Sequence, residues 1–131
     1  MARRNARIGR LGEQAARRFL EERGYRVLDH NWHSPAPEQR GEIDLVLRDR
    51  RALVVCEVKT RTGASLAHPA EAVTAEKAAR LRRLAVLWLR SHPSSRRPRG
   101  TPVVRIDVVA VRLGPREPHP LLSIEHLRAV A

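Results

Sequence analysis

The 131-residue chain has one cysteine, four aromatic side chains and only two lysines, and no apolar run approaches the roughly 18 residues of a membrane span. A single cysteine excludes an intramolecular disulfide. Cys56 falls on the apolar side of a strand-like run, so a reduced, packed thiol is expected there rather than a nucleophile. Aromatic residues make up 3% of the chain, too few for a platform on which single-stranded bases stack. The six histidines form no H-x-H or HExxH pattern and have no cysteine partner, which argues against zinc chemistry. The opening MARRNARIGR lacks the apolar core of a secretory signal, so the expected location is the cytoplasm, with no membrane partner.

Acidic residues are scarce as well: 14 against 26 Lys and Arg, a formal net charge of +12. A surplus of this size is the electrostatic footprint of a polyanion binder, nucleic acid above all. An arginine-rich coding bias accounts for arginine over lysine, but not for the surplus itself. With so few aromatic side chains, contacts to the nucleic-acid backbone should dominate. The length fits one domain over residues 1–131 with a modest core, and no internal repeat divides it.

Ile8 to Arg23 reads as an amphipathic helix ended by Gly24, preceded by a frayed basic segment from Met1 to Arg7. Ile8, Leu11, Ala15 and Phe19 make its expected core stripe, with Glu13 beside Leu20 at the margin. Gly9 and Gly12 share one side, where a backbone or a phosphate can come close. Tyr25 to Asn31 alternates as a first strand, with Val27 and Asp29 on one side, and Trp32 closes the core. His33 to Arg40 is a turn-rich loop of the kind that borders a site. Thr74 is the expected N-cap of a second helix that packs Leu81, Leu84, Ala85, Trp88 and Leu89. Ser91 to Pro102 is expected to be a loop, Val103 to Leu113 a long strand interrupted by Asp107, and Leu121 to Leu127 a short edge strand.

The stretch from Gly41 to Arg61, GEIDLVLRDRRALVVCEVKTR, sets three ionisable side chains into two apolar, β-branched runs separated by a turn at Asp49-Arg50-Arg51. Alternation puts Glu57 and Lys59 on one side of their strand and Val54, Cys56 and Val58 on the other. A four-residue loop, Asp49 to Ala52, would set Asp44 opposite Glu57; a two-residue loop would set it opposite Val55. Directly opposed Cβ atoms lie about 5 Å apart, close enough for two carboxylates to share one divalent ion. Without a cation the pair would repel, and one member would take up a proton. Lysine at 59, in a chain that otherwise uses arginine, points to a compact ammonium on a flexible stem.

The arrangement of Asp44 followed by Glu57-Val58-Lys59 resembles the PD-(D/E)xK nuclease core. IGRLGEQAARRFLEERGYRVLDHNW (8 to 32), GEIDL (41 to 45), VVCEVKTRTG (54 to 63) and AVTAEKAARLRRLAVLWL (72 to 89) resemble successive blocks of the bacterial YraN-like family of predicted nucleases, which are similar to archaeal Holliday-junction resolvases. The resemblance spans nearly the whole chain. It implies an α/β, restriction-endonuclease-like core with a central mixed sheet flanked by helices, and a helix carboxylate at Glu13 joining Asp44, Glu57 and Lys59. Oxygen ligands without His or Cys suit magnesium or manganese, held by Asp44 and Glu57. The resemblance implies a supporting role for Asp107, and resolvases of the resembled group act as homodimers on branched DNA; nucleic acid is the expected partner, DNA ahead of RNA, and the residues themselves leave open which is cut. Arg61, Lys77, Arg80 and Arg83 are the candidate contacts to the nucleic-acid backbone. Glu42 shares a strand face with Asp44 and either reaches the metal or simply begins the strand. Two rivals stand beside the enzyme: a non-catalytic nucleic-acid-binding module on the same fold, and an internal salt bridge with Lys59 between Glu57 and Asp44.

Overall fold

The computed structural model describes residues 2–63, 68–93, 98, 100 and 102–131. In chain order these form α1 (Ala2–Glu22), β1 (Arg26–His33), β2 (Glu42–Asp49), β3 (Ala52–Thr62), a 3-10 turn (Pro69–Ala72), α2 (Ala75–Ser91), β4 (Val103–Leu113) and β5 (Leu121–Leu127). The five strands make one sheet in the order β1-β2-β3-β4-β5. Every neighbouring pair is antiparallel except β3 and β4, which run parallel and are joined by the crossover that contains α2. A parallel pair cannot be closed by a hairpin, so the chain has to cross one face of the sheet to connect it.

Alternation along β3 sorts the core into two layers. Val54, Cys56 and Val58 pack with Ile8, Ala16 and Leu20 of α1, whereas Leu53 and Val55 pack with Leu81, Leu84 and Trp88 of α2. A helix therefore covers each face of a mixed sheet, the restriction-endonuclease-like arrangement. The three inner strands, β2, β3 and β4, contribute to both layers, which is why their sequences are rich in apolar residues.

The hairpin closes over Arg50 and Arg51, with Asp49 paired to Ala52 and Arg50 at φ 57°. This loop is shorter than the four-residue one tied to an Asp44–Glu57 pairing. The register is nevertheless the one that loop implied, because the ladder runs one pair further toward the turn; extended the other way past Leu45↔Cys56, it sets Asp44 opposite Glu57.

Three further expectations are corrected. The first helix begins at Ala2, so most of the supposedly frayed segment is helical, and its fully buried line is Ile8, Gly12, Ala16 and Leu20, with Leu11, Ala15 and Phe19 flanking it. Gly12 carries the shift: a Cβ there would overlap the Thr60 side chain, so the helix lies directly against β3 at that residue. In β1 a bulge between Val27 and Asp29 breaks the alternation. Val27 packs with the α1 layer, while Asp29 accepts the Trp88 indole N–H at 2.9 Å on the α2 side, so the two do not share a face. Asp107 does not interrupt β4; it is fully buried within it. Much of the loop expected from Ser91 to Pro102 lies outside the described residues.

Candidate functional site

β2 and β3 part where the charged residues begin. Their ladder ends at Leu45↔Cys56, yet β2 stays paired to β1 as far as Glu42↔His33. In the gap, the Val58 N–H donates to Asp44 Oδ2 at 2.9 Å, taking a side-chain acceptor in place of the missing ladder partner. The Asp44 carboxyl lies against that of Glu57. Burial above all, and then the Glu57 charge, raise Asp44 to about 7, against the opposing hydrogen bond from Val58; Glu13 adds a smaller push upward. Glu13 is itself raised by burial, partly countered by His30 and by a hydrogen bond with Asn31, with Glu42 pushing it further up. Asn31 reaches that position in a left-handed conformation, φ 48°, which asparagine tolerates better than most residues.

Two cavities meet at Asp44. The one on the α1 side, about 300 Å³, is bordered by Asn5, Gly9, Glu13, Asp44, Lys59 and Thr60. The one beneath α2, about 350 Å³, is bordered by Arg40, Glu42, Asp44, Glu57, Lys77 and Arg80. Lys59 also borders a wider cleft of about 610 Å³, together with Arg61, His68, Glu71, Arg112 and Glu125. The structure thus gathers Asp44 and Glu57 at one point, with Glu13 and Lys59 across the first cavity. Lys59 has no ion pair within 4.0 Å among the described residues, so the internal bridge with Lys59 between two carboxylates is not formed.

The ammonium against Glu57 belongs to the other lysine. Lys77 Nζ lies 2.8 Å from Glu57 Oε2, with the two side chains 26% and 14% exposed. Lys77 stands in the first turn of α2, where its own N–H is capped by Thr74 Oγ1 at 3.1 Å. A candidate contact to nucleic acid, its ammonium here points at Glu57. Of the other candidates, Arg61 and Arg80 border cavities from exposed positions, whereas Arg83 donates to Gln39 Oε1 at 2.7 Å across the loop before β2. Glu42 begins β2 and pairs with His33 at 3.3 Å at the mouth of the α2-side cavity.

Reasoning from sequence missed Lys77 as a partner of Glu57, and also Arg40, Asn5 and Asn31. Lysine scarcity, which singled out position 59, applied equally to position 77. Among the described residues no three His, Cys, Asp or Glu side chains are placed to hold one metal ion.

A second charged cluster lies away from both cavities. Buried Asp107 accepts Arg105 Nε and Nη2 at 2.9 Å each, His126 Nε2 at 2.7 Å and the Ala129 N–H at 3.0 Å. Burial raises its pKa, but these donors outweigh burial and hold it below the ordinary carboxylate range. Arg105 continues to Asp49 at 2.7 Å and to the Tyr25 hydroxyl at 3.0 Å. With each of its oxygens bonded, Asp107 ties β4 to β5 and the chain after β5, and its partner Arg105 carries the link on to β2 at Asp49.

The model of a family described as "Uncharacterised protein family UPF0102" matches residues 12–111, a span that contains Glu13, Asp44, Glu57, Lys59 and Lys77. A UPF0102 protein of Streptomyces coelicolor is 49% identical over 129 residues, covering 97% of this chain and 92% of the relative. One of Beutenbergia cavernae is 48% identical over 123 residues, 94% of each chain. One of Frankia alni is 47% identical over 121 residues, 92% of this chain and 91% of the relative.

Proposed function

The chain belongs to the uncharacterised protein family UPF0102, the YraN family of predicted nucleases, and from that premise we propose that it is a magnesium- or manganese-dependent nuclease hydrolysing phosphodiester bonds in DNA, branched DNA above other forms. The observation that carries this reading is the meeting of Asp44 and Glu57 in the gap between β2 and β3. Two carboxyls, one raised to about 7 by burial and its neighbour, form an all-oxygen pair whose repulsion a hard divalent cation relieves. Oxygen donors without His or Cys suit magnesium or manganese over softer metals. Held there, the ion would supply Lewis-acid polarisation of a phosphate oxygen and a more acidic water.

The chain's own groups do the rest. Lys59, free of ion pairs among the described residues, opens onto the α1-side cavity. There it orients the attacking water or takes its proton, and meets the negative charge growing on the phosphate. Glu13, across the same cavity, aligns that water. Arg61, Arg80 and Arg83 hold the flanking backbone, and a homodimer would bring two such sites to one branched substrate. The alternative, a non-catalytic nucleic-acid-binding module, draws on the Lys77–Glu57 ion pair, which neutralises Glu57 without a metal.

The test is incubation of labelled branched, duplex and single-stranded DNA with the wild type, Glu57→Ala and Lys59→Ala in Mg²⁺, Mn²⁺ or EDTA. Cleavage is expected in either metal and absent in EDTA, with each variant slower by about 10²-fold or more. Binding without cleavage on every substrate would establish the module instead. Cleavage that survives both substitutions would belong to a contaminant and sink the assignment.

A further inference from the structure

The arrangement around Glu57 reaches beyond the catalytic set. A cation in the first turn of a helix opposes the helix dipole, which favours acidic groups there. Lys77 nevertheless occupies that turn, and its ammonium is drawn 2.8 Å from Glu57 in a part-buried pair at the edge of the α2-side cavity, which Asp44 and Arg80 also border. The chain uses lysine at two positions only, 59 and 77, and both side chains end at this site. Arginine in the same place could clamp the carboxylate through two parallel hydrogen bonds; lysine holds it through a compact point charge that moves on a flexible stem.

We infer that Lys77 is a resident counter-cation of the carboxylate pair, which competes with the divalent ion for Glu57 and, when displaced, is received by a phosphate of the nucleic-acid backbone. This rests on the nuclease reading above and adds a coupling to it. An ammonium pushed off Glu57 needs another anion; of the two other carboxyls bordering the cavity, Asp44 would be taken by the ion and Glu42 is already paired with His33 at 3.3 Å, while Arg40 and Arg80 would repel it. Phosphate supplies one, so DNA makes room for the ion and the ion makes DNA bind better, by equal factors as linkage requires. In the protein alone, the same ammonium neutralises Glu57, the carboxylate that stands against Asp44.

The experiment measures Mn²⁺ binding by electron paramagnetic resonance, which counts bound ion whether or not anything is cut. The full-length wild type, Lys77→Met and Lys77→Arg are titrated with and without a short DNA duplex, and thermal melts confirm that each is folded. Without DNA, Lys77→Met should bind Mn²⁺ roughly tenfold more tightly than the wild type and Lys77→Arg more weakly. DNA should tighten Mn²⁺ binding in the wild type and do so much less in Lys77→Met. Equal or weaker Mn²⁺ binding by Lys77→Met, with the wild type binding the ion, overturns the inference and leaves the nuclease reading standing. Absence of Mn²⁺ binding by all three proteins overturns the metal-dependent reading itself, and this inference with it.

Discussion

Gly9 and Gly12 lie three residues apart on α1, and their surroundings are opposite. A Cβ on Gly12 would collide with Thr60, while one on Gly9 would meet nothing within 4 Å. Both were legible in the sequence as glycines sharing a side; which one faced protein and which faced open cavity was not, because that depends on how the helix is rotated against β3. Gly12→Ala should destabilise the fold by about 2 kcal/mol through overpacking. Gly9→Ala should stabilise it by about 1 kcal/mol, the difference in helix propensity with no clash to offset it. Urea denaturation of the two variants decides the matter, and similar changes of one sign would contradict the packing described. Asp44, Glu57 and Lys59 could be singled out because strand alternation and hairpin register are local and periodic. Lys77 could not be joined to Glu57 in the same way, since nineteen residues, with a 3-10 turn and the start of a helix among them, separate the two.

Elements were legible where their apolar period was strong. β4 and β5 fall at the expected bounds, and α2 starts after the expected cap at Thr74. The face of α1 was misjudged because Leu11, Ala15 and Phe19 outweigh Gly12 and Ala16 in apolar bulk. Close approach to the sheet favours the small residues instead. In β1, one extra residue reversed the side on which Asp29 lies, and nothing in the local pattern marks a bulge. Within β4, Asp107 was read as an interruption because an isolated carboxylate is costly to bury; four hydrogen bonds from Arg105, His126 and Ala129 remove most of that cost. Those donors hold its pKa below the ordinary value, near 3.9 in an unfolded chain. The ionised group therefore stabilises the fold fully above about pH 4, and that contribution is lost as the pH falls through the folded-state value. Asp107→Asn should cost about 3 kcal/mol at neutral pH, because it leaves Arg105 short of its main partner. It should also flatten the acid limb of a stability profile recorded from about pH 2 to about pH 7. An acid limb as steep as that of the wild type would remove Asp107 from this account.

At the scale of the molecule, a formal charge of +12 has to be carried by a chain with few acids to pair it. If the exposed arginines track a phosphate backbone, the affinity for duplex DNA should fall linearly on a log–log plot against salt, by about 0.9 per phosphate contacted. Arg80→Ala should lower that slope by about 1 while leaving sequence preference unchanged, as read by fluorescence anisotropy across a salt series. An unchanged slope would place Arg80 outside the contact surface. The sheet that carries these charges is itself uneven: β3 keeps β4 beside it along its whole length but loses β2 beyond Cys56. On that released half, the Val58 amide hydrogen is shielded by a carboxylate oxygen alone. Its nuclear resonance and its exchange with deuterated water should therefore follow whatever happens to Asp44, so that one backbone proton can register a cation or a phosphate arriving before any bond is cut.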